Sequence, residues 1–258
     1  MEKDSDDFIH TLWDELADFD AAHFDEALTH LMGKLCILAG AWNALWMGAV
    51  RMDATFPEDP IKGWRPRFIR YLQPAPVFDD AAMENKKLDQ GVMDITTIRN
   101  VEGVGTFRAN RLCDLVGPEW FESPYYQAQY LDRGTADAIW VAFPVNEDAE
   151  SWFGIYRAPD SPPFTEAERD TVAYALRGIK WFHRQLMLSH GALAAVTPLT
   201  PTERRVLHLL LTGIAEKLIA AELERSQHTV NECIAAIFRK FGVNNRAALM
   251  SLWLGQTV

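Results

Sequence analysis

The last sixty residues carry apolar positions at helical spacing, divided by turn residues into four short segments. Thr200 is a suitable N-cap, Pro201 suits the first helical position, and Glu203 completes a capping box. Gly213 and Gly242 suit the left-handed conformation that ends many helices. The pattern predicts four helices, which run from the cap at 200 to 212 and over 216–223, 226–241 and 246–254.

The first 190 residues mix helical and strand patterns. One apolar face predicts a helix over 20–42, and a capping box formed by Thr165 and Glu168 predicts a long helix that ends near 188. Runs of β-forming residues predict strands over 43–52 and 64–72 and a β-hairpin with strands over 138–145 and 151–157. Turn residues predict loops over 53–63, 74–82 and 100–106.

These elements predict two domains, which suits a chain of 258 residues. Residues 1–190 are predicted to form an α+β domain, an antiparallel sheet flanked by helices. Residues 191–198, which include Gly191 and Pro198, are predicted to be a linker. Residues 199–258 are predicted to form an all-α domain of four helices.

The net charge of −11 is unequally divided along the chain. From Leu199 onward there are seven Lys or Arg residues and five Glu, a net charge of +2, so the remainder carries −13. A mildly basic domain is thus joined to a strongly acidic one, which is an indication of nucleic-acid contact.

The second and third C-terminal helices have the size and spacing of a helix-turn-helix, whose second helix enters the major groove of DNA. On the outward face of that helix, Asn231 can pair with adenine, Glu232 can accept from cytosine, and Ala235 can contact a thymine methyl group. Arg239 and Lys240 suit phosphates, which position the protein without reading the sequence. Without further information, a helical bundle that binds protein would fit the same pattern.

The C-terminal segment resembles the DNA-binding domain of the LuxR family of bacterial transcription regulators. The matching residues keep the family's spacing over about 55 positions without a gap: Leu199-Thr200-Pro201, Glu203, Arg204, Val206, Leu207, Gly213, Lys217, Ile219-Ala220, Leu223, Ser226, Thr229-Val230, Ile237, Arg239-Lys240, Gly242-Val243 and Asn245-Arg246-Ala247. The resemblance implies binding to double-stranded DNA as a homodimer, with a fourth helix that can serve dimerisation. The predicted DNA-contact residues are Lys217, Ser226, His228, Thr229, Asn231, Glu232, Ala235, Arg239, Lys240 and Arg246. Leu218, Asn231 and Cys233 depart from the family's usual residues, so the operator sequence cannot be transferred from other members.

The N-terminal region, above all residues 140–188, resembles the GAF-type sensory domains that precede LuxR-type domains. A response-regulator receiver does not fit, because no acidic pair follows a first strand. An acyl-homoserine-lactone domain is a less favoured alternative. That family has a Trp and a Tyr four residues apart, whereas here Trp64 is followed by Phe68. It also has an aspartate followed by proline, and Asp79-Asp80 lack that proline.

Eight of the nine tryptophans precede residue 199. Aromatic side chains often form core, and they also line mostly apolar ligand pockets. If a pocket for a small-molecule effector exists, we expect its lining among Trp46, Trp64, Tyr71, Tyr125, Tyr126, Trp140 and Trp152. Tyr125 and Tyr126 follow Ser-Pro in a predicted loop.

No catalytic or cofactor motif is present, and neither the histidines nor the three cysteines have metal-ligand spacing. We therefore predict no enzymatic activity, no metal and no cofactor. The absence of a long apolar run and of a signal peptide predicts a cytoplasmic protein without membrane contact. Three functions stay open: a ligand-responsive regulator, a ligand-independent regulator, and an antagonist that sequesters a related regulator by dimerisation.

Overall fold

The computed structural model describes residues 3–52, 58–73, 80–192 and 199–255. The backbone divides into two compact units, each made of two segments of the chain. The first unit comprises Met1–Trp13 with Thr29–Lys180, and the second comprises Asp14–Leu28 with Trp181–Val258. The predicted domain boundaries stay a prediction, and most of the predicted linker at 191–198 lies outside the described residues.

The first unit is built on a five-stranded antiparallel sheet with strand order β2-β1-β5-β4-β3. The strands are β1 (Asn43–Arg51), β2 (Trp64–Tyr71), β3 (Arg108–Arg111), β4 (Asp137–Asn146) and β5 (Ala149–Arg157). The two predicted strands and the predicted hairpin are confirmed as β1, β2 and β4–β5. The sequence pattern did not indicate β3, which is only four residues long. The predicted α+β architecture of an antiparallel sheet with helices is therefore confirmed for this part of the chain.

The sequence pattern did not predict several helices of the N-terminal half. The helices that precede β4 are α1 (Lys3–Ala17), α2 (Phe24–Ala39), α3 (Ala81–Asp89), α4 (Ile95–Glu102), α5 (Leu112–Leu115) and α6 (Pro124–Gln129). The loop predicted over 74–82 is therefore wrong at 81–82, where α3 begins, and residues 74–79 lie outside the described residues. The loop predicted over 100–106 is wrong at 100–102, where α4 ends. Tyr125 and Tyr126 lie in α6 rather than in a loop, because the hydroxyl of Ser123 accepts from the amide of Tyr126 (3.1 Å) and caps a short helix.

The helix predicted over 20–42 is shorter than expected. A 3₁₀ turn at Ala21–His23 precedes α2, whose last residue is Ala39. Gly40 then adopts a left-handed conformation (φ 59°), which ends the helix before β1 begins.

The single long helix predicted to end near 188 is in fact two helices, α7 (Glu166–Arg177) and α8 (Lys180–Ser189). The indole of Trp13 donates a hydrogen bond to the carbonyl of Ala175 (2.9 Å) and so occupies the acceptor that the amide of Ile179 would use in a continuous helix. That amide bonds to Leu176 O instead (3.4 Å). The Trp13 ring also lies against Gly178, where any side chain would collide with it.

The second unit contains the four predicted C-terminal helices, α9 (Pro201–Leu211), α10 (Glu216–Glu222), α11 (Gln227–Phe241) and α12 (Arg246–Trp253). The predicted capping box is confirmed: the amide of Glu203 donates to Thr200 Oγ1 (3.2 Å), and the amide of Thr200 donates to Glu203 Oε2 (2.6 Å). Gly213 and Gly242 have φ of 91° and 66°, as their positions at helix ends require.

The core of the second unit consists of aliphatic residues from α9 to α12. Its members include Val206, Leu207, Leu210, Ile219, Val230, Ile234, Ile237, Phe241 and Leu249. Phe24, from the N-terminal segment of this unit, packs its ring against those of Phe182 (4.9 Å between centroids) and Trp253 (5.3 Å). Within the described ranges, no helix is long and apolar enough to cross a membrane.

Candidate nucleic-acid interface and candidate ligand cavity

Helices α10 and α11 form a compact pair in the second unit. Ile219 and Ala220 of α10 and Val230 of α11 are buried, whereas Leu218 is exposed. In the turn between the helices, Glu224 adopts a left-handed conformation (φ 52°). The amide of Arg225 then bonds to Ala220 O (2.9 Å), and Ser226 caps α11. The turn therefore fixes the direction in which α11 leaves α10.

One side of α11 is free of core contacts. Its exposed residues include His228, Asn231, Glu232, Ala235 and Arg239. The imidazole of His228 lies 3.4 Å from the carboxylate of Glu232, one helical turn further along. Five predicted DNA-contact residues thus lie on one exposed helix face, and that face carries both donors and acceptors.

Two predicted contact residues, Ser226 and Thr229, are engaged with each other at the start of α11. Ser226 Oγ accepts from the amide of Thr229 (3.1 Å) and lies 2.9 Å from its hydroxyl. Ser226 therefore caps the helix, and Thr229, whose amide it accepts from, is only partly exposed.

The amide of Asn231 connects the two helices. In the orientation that satisfies its hydrogen bonds, Asn231 Nδ2 donates to Glu216 Oε2 (3.0 Å) and to Gln227 O (3.2 Å). Glu216 therefore fixes how the Asn231 side chain is presented on the exposed face.

Lys240 and Arg246 are engaged inside the helical unit. Lys240 Nζ lies 2.7 Å from Glu203 Oε2, and both side chains are largely buried. Burial alone would raise the pKa of Glu203, but the bonds from Lys240 and Thr200 outweigh it and lower the pKa below its usual value. Arg246 donates to Ile214 O (2.8 Å) and to Leu210 O at the end of α9. The exposed cations of α10, the turn and α11 are instead Lys217, Arg225 and Arg239.

Arg225 was not among the predicted contact residues. Arg225 directly precedes Ser226, the N-cap of α11, and this position could have identified it. Residues at the start of a recognition helix lie close to the DNA backbone.

A cavity of about 180 Å³ lies on one face of the sheet in the first unit. On the sheet side its lining includes Leu45, Met47, Trp64, Ile69, Tyr71, Trp140, Trp152 and Tyr156. On the helical side it includes Glu84, Leu88, Thr96, Asn100, Val101, Tyr125 and Tyr130. Five of the seven predicted pocket residues therefore line one cavity: Trp64, Tyr71, Tyr125, Trp140 and Trp152.

Strand register explains which aromatic residues reach the cavity. Met47 pairs with Trp152, and Gly154 pairs with Trp140, so these side chains share one face of the sheet. Trp46 lies on the opposite face, where its indole donates to Ser151 Oγ (2.9 Å) in the core. Tyr126 does not line the cavity either, because its hydroxyl donates to Ala136 O (2.7 Å).

Other polar groups of the cavity come from β2, β5, α3, α4, α6 and the residues that follow α6. Thr96, Asn100, Tyr130 and Tyr156 were not predicted as lining. Burial raises the pKa of Tyr130 and Tyr156 well above the usual value, so both hydroxyls are neutral at physiological pH. Tyr156 could have been found from the period-two pattern that includes Trp152. The others depended on helices that the pattern missed.

Among the described residues, no cluster of three or more His, Cys, Asp or Glu side chains could hold a metal ion.

The helical geometry of the second unit defines a helix-turn-helix. Comparison with known families agrees: residues 197–253 match the family described as bacterial regulatory proteins, luxR family. This part of the chain is therefore a LuxR-family helix-turn-helix domain, the DNA-binding domain of a transcription regulator. No curated protein sequence matches the chain.

The solved structures similar to this chain include the following three, all at low sequence identity. SdiA in complex with octanoyl-rac-glycerol has 14% identity and a TM-score of 0.47, and the alignment covers 97% of this chain and 95% of that one. Escherichia coli SdiA has 13% identity and a TM-score of 0.46, with 98% of each chain covered. The VqsR LBD domain from Pseudomonas aeruginosa has 12% identity and a TM-score of 0.42, with 69% and 90% covered. These TM-scores are below 0.5, so neither the GAF-like prediction nor a ligand follows from them.

Proposed function

We propose that this protein is a transcription regulator that reads DNA with α11 and binds a small molecule in the cavity of its first unit. The observation that carries the proposal is the exposed polar face of α11 within a LuxR-family domain. The cavity supports the second part, since it combines aromatic walls with a few polar groups, as small-molecule sites do. The proposal involves no catalytic step. Because the proposed target is DNA, we also propose that the protein acts in the cytoplasm.

We further propose that the protein acts as a homodimer and that the ligand changes the spacing of two recognition helices. Helix-turn-helix proteins bind paired half-sites in this way, one half-site to each subunit. Such a mechanism requires two global states with different affinities for the ligand.

The DNA-binding part is tested by recovering genomic fragments bound to the full chain and measuring their affinity at several salt concentrations. We expect specific retention of a fragment with two related half-sites, at a stoichiometry of two chains. If no fragment is retained at low salt, with or without cell extract, the regulator proposal fails and an antagonist acting by dimerisation becomes the better explanation.

The orientation of α11 is tested with Asn231→Ala. If Asn231 makes a bidentate contact with adenine, its loss should relax preference at one base position by about 1–3 kcal/mol. Lys86→Ala, an exposed change on α3, is the control and should leave the preference unchanged. An identical loss of affinity for every sequence would contradict base reading by Asn231.

The ligand part is tested by incubating the full chain with cell extract, then measuring bound small molecules by native mass spectrometry. We expect a bound compound that changes the affinity for the recovered fragment. DNA binding that is unaffected by every bound compound would instead support a ligand-independent regulator.

A further inference from the structure

Two hydroxyl groups of the cavity lack hydrogen-bond partners within the described part of the chain. Tyr125 and Tyr156 both line the cavity, and no hydrogen bond joins either hydroxyl to another described residue. The Tyr156 side chain is deeply buried, with only 8% of the residue exposed. Because both residues line the cavity, their hydroxyls are available to a ligand that offers oxygen or nitrogen atoms to them, and each such hydrogen bond would add to its affinity.

The charged residues of the cavity lining are Arg65, Glu84 and Arg133, and each has an interaction partner. Arg65 is buried against Asp59 (3.0 Å) and also contacts Asp89 (3.2 Å), so its charge is already neutralised. Of the other two charged residues of the lining, Glu84 has its carboxylate 3.9 Å from Lys87 Nζ, and Arg133 has the opposite charge. An ionic ligand would lose its hydration without gaining a dedicated counter-ion, which is strongly unfavourable.

Aromatic rings form much of the wall. Trp140 and Tyr156 meet edge to face, with centroids 5.8 Å apart and planes at 80°. Both rings lie over Gly154, where a Cβ atom would be 2.9 Å from Trp140 and 3.1 Å from the Tyr156 hydroxyl. The absence of a side chain there lets the rings approach the strand. Such walls present ring edges and faces, which pair best with another planar ring.

The size of the cavity limits the ligand. Its volume is about 180 Å³, and an apolar cavity of about 150 Å³ in another protein holds one benzene molecule. One ring with a small substituent therefore fits inside the cavity.

We propose that the cavity binds a neutral, single-ring aromatic molecule whose carbonyl or hydroxyl oxygen bonds to Tyr125 and Tyr156. This inference rests on the proposed small-molecule function of the first unit. It adds the chemical class of the ligand, which follows from the unpaired hydroxyls, the compensated charges, the aromatic walls and the volume.

The experiment compares four probes on the full chain by isothermal titration calorimetry: acetophenone, cyclohexyl methyl ketone, benzoate and methyl octanoate. We expect acetophenone to bind most tightly. Cyclohexyl methyl ketone keeps the carbonyl but loses the aromatic ring, benzoate adds a charge, and methyl octanoate replaces the ring with a chain. If any of these three binds as tightly as acetophenone, the corresponding part of the proposed class is wrong.

Variants locate the binding site. Tyr156→Phe and Tyr125→Phe should each weaken acetophenone binding about threefold to tenfold, the effect of one neutral hydrogen bond. Tyr174→Phe removes a tyrosine hydroxyl that does not line the cavity and should leave the affinity unchanged. Unchanged affinity in both cavity variants, with melting temperatures like that of the parent, would overturn the inference.

Failure of this inference differs from failure of the proposed function. If none of the probes binds but a compound from cell extract does, only the ligand class is wrong. If no small molecule binds and the protein still retains DNA, both the ligand class and the sensory part of the proposal fail, while the regulator part stands.

Discussion

Glu203 joins the cap of α9 to α11, and its charge can be removed while its hydrogen bonds are kept. Glu203 Oε2 accepts from the Thr200 amide (2.6 Å) and from Lys240 Nζ (2.7 Å). Glutamine can serve in the same capping box, so Glu203→Gln changes mainly the interaction with Lys240. A hydrogen bond to a charged group contributes about 1.5–3 kcal/mol, against about 1 kcal/mol for a neutral one. We therefore expect the variant to lose about 1–2 kcal/mol of stability at pH 7.

The stability that the charge of Glu203 contributes depends on pH. The pKa of Glu203 is lower in the folded protein than its usual value of 4.5. The stabilisation is therefore complete above the unfolded pKa and is lost as the pH falls through the folded pKa. The difference between the parent and Glu203→Gln should thus be present at pH 7 and should shrink as the pH falls below 4.5.

Hydrogen exchange at the amides of α9 and α11 measures this difference, because it reports local opening free energies within a multidomain chain. Glu222→Gln removes an exposed carboxylate at the end of α10 and serves as the control, with an expected change close to zero. If Glu203→Gln matches the parent at pH 7, or if the difference does not shrink as the pH falls below 4.5, the assigned role of Glu203 is wrong.

Three further predictions follow from other contacts. Gly178→Ala places a Cβ atom 2.2 Å from the Trp13 ring, so it should cost about 1–3 kcal/mol and lower the melting temperature; an unchanged temperature would show that the ring moves aside. Burial, with a smaller contribution from Arg204, lowers the pKa of His208 to about 4. The second unit should therefore lose stability as the pH falls from about 6.5 towards 4, and His208→Gln, followed by hydrogen exchange, should remove that loss. Arg239→Ala should weaken binding to all DNA sequences and reduce the salt slope by about 1, whereas Lys240→Ala should mainly destabilise the domain; equal slopes for both variants would contradict this division.

The C-terminal helices were predictable because their signals are local. The capping box at Thr200, the N-cap at Ser226 and the glycines after α9 and α11 lie within a few residues of the ends they define. The strands β1, β2, β4 and β5 were predictable from their β-forming residues, and four of the five predicted aromatic residues that line the cavity lie on those strands, whereas Tyr125 lies on α6.

The missed features depend on contacts between residues far apart in sequence. The break before α8 arises because Trp13 bonds to Ala175, which lies 162 residues away. The sequence around Trp13 and the sequence around Ala175 do not indicate this contact. The ion pair of Lys240 was also missed, because its partner Glu203 lies 37 residues earlier, while phosphate contact by Lys240 stays a prediction. Helices α3 and α4 are short, with eight or nine residues each, and have too few turns for a clear helical period.

The charges near α11 bear on how tightly one subunit can bind DNA. Three exposed cations stand beside four exposed carboxylates: Lys217, Arg225 and Arg239, and Glu216, Glu222, Glu224 and Glu232. With at most three phosphates neutralised by these cations, the salt slope would be only about −3 per subunit. Non-specific attraction is correspondingly weak, since it comes almost entirely from phosphate contacts. Affinity must then come from base contacts made by the exposed face of α11 and from two half-sites bound together, which is why we expect the homodimer to be the form that binds its operator.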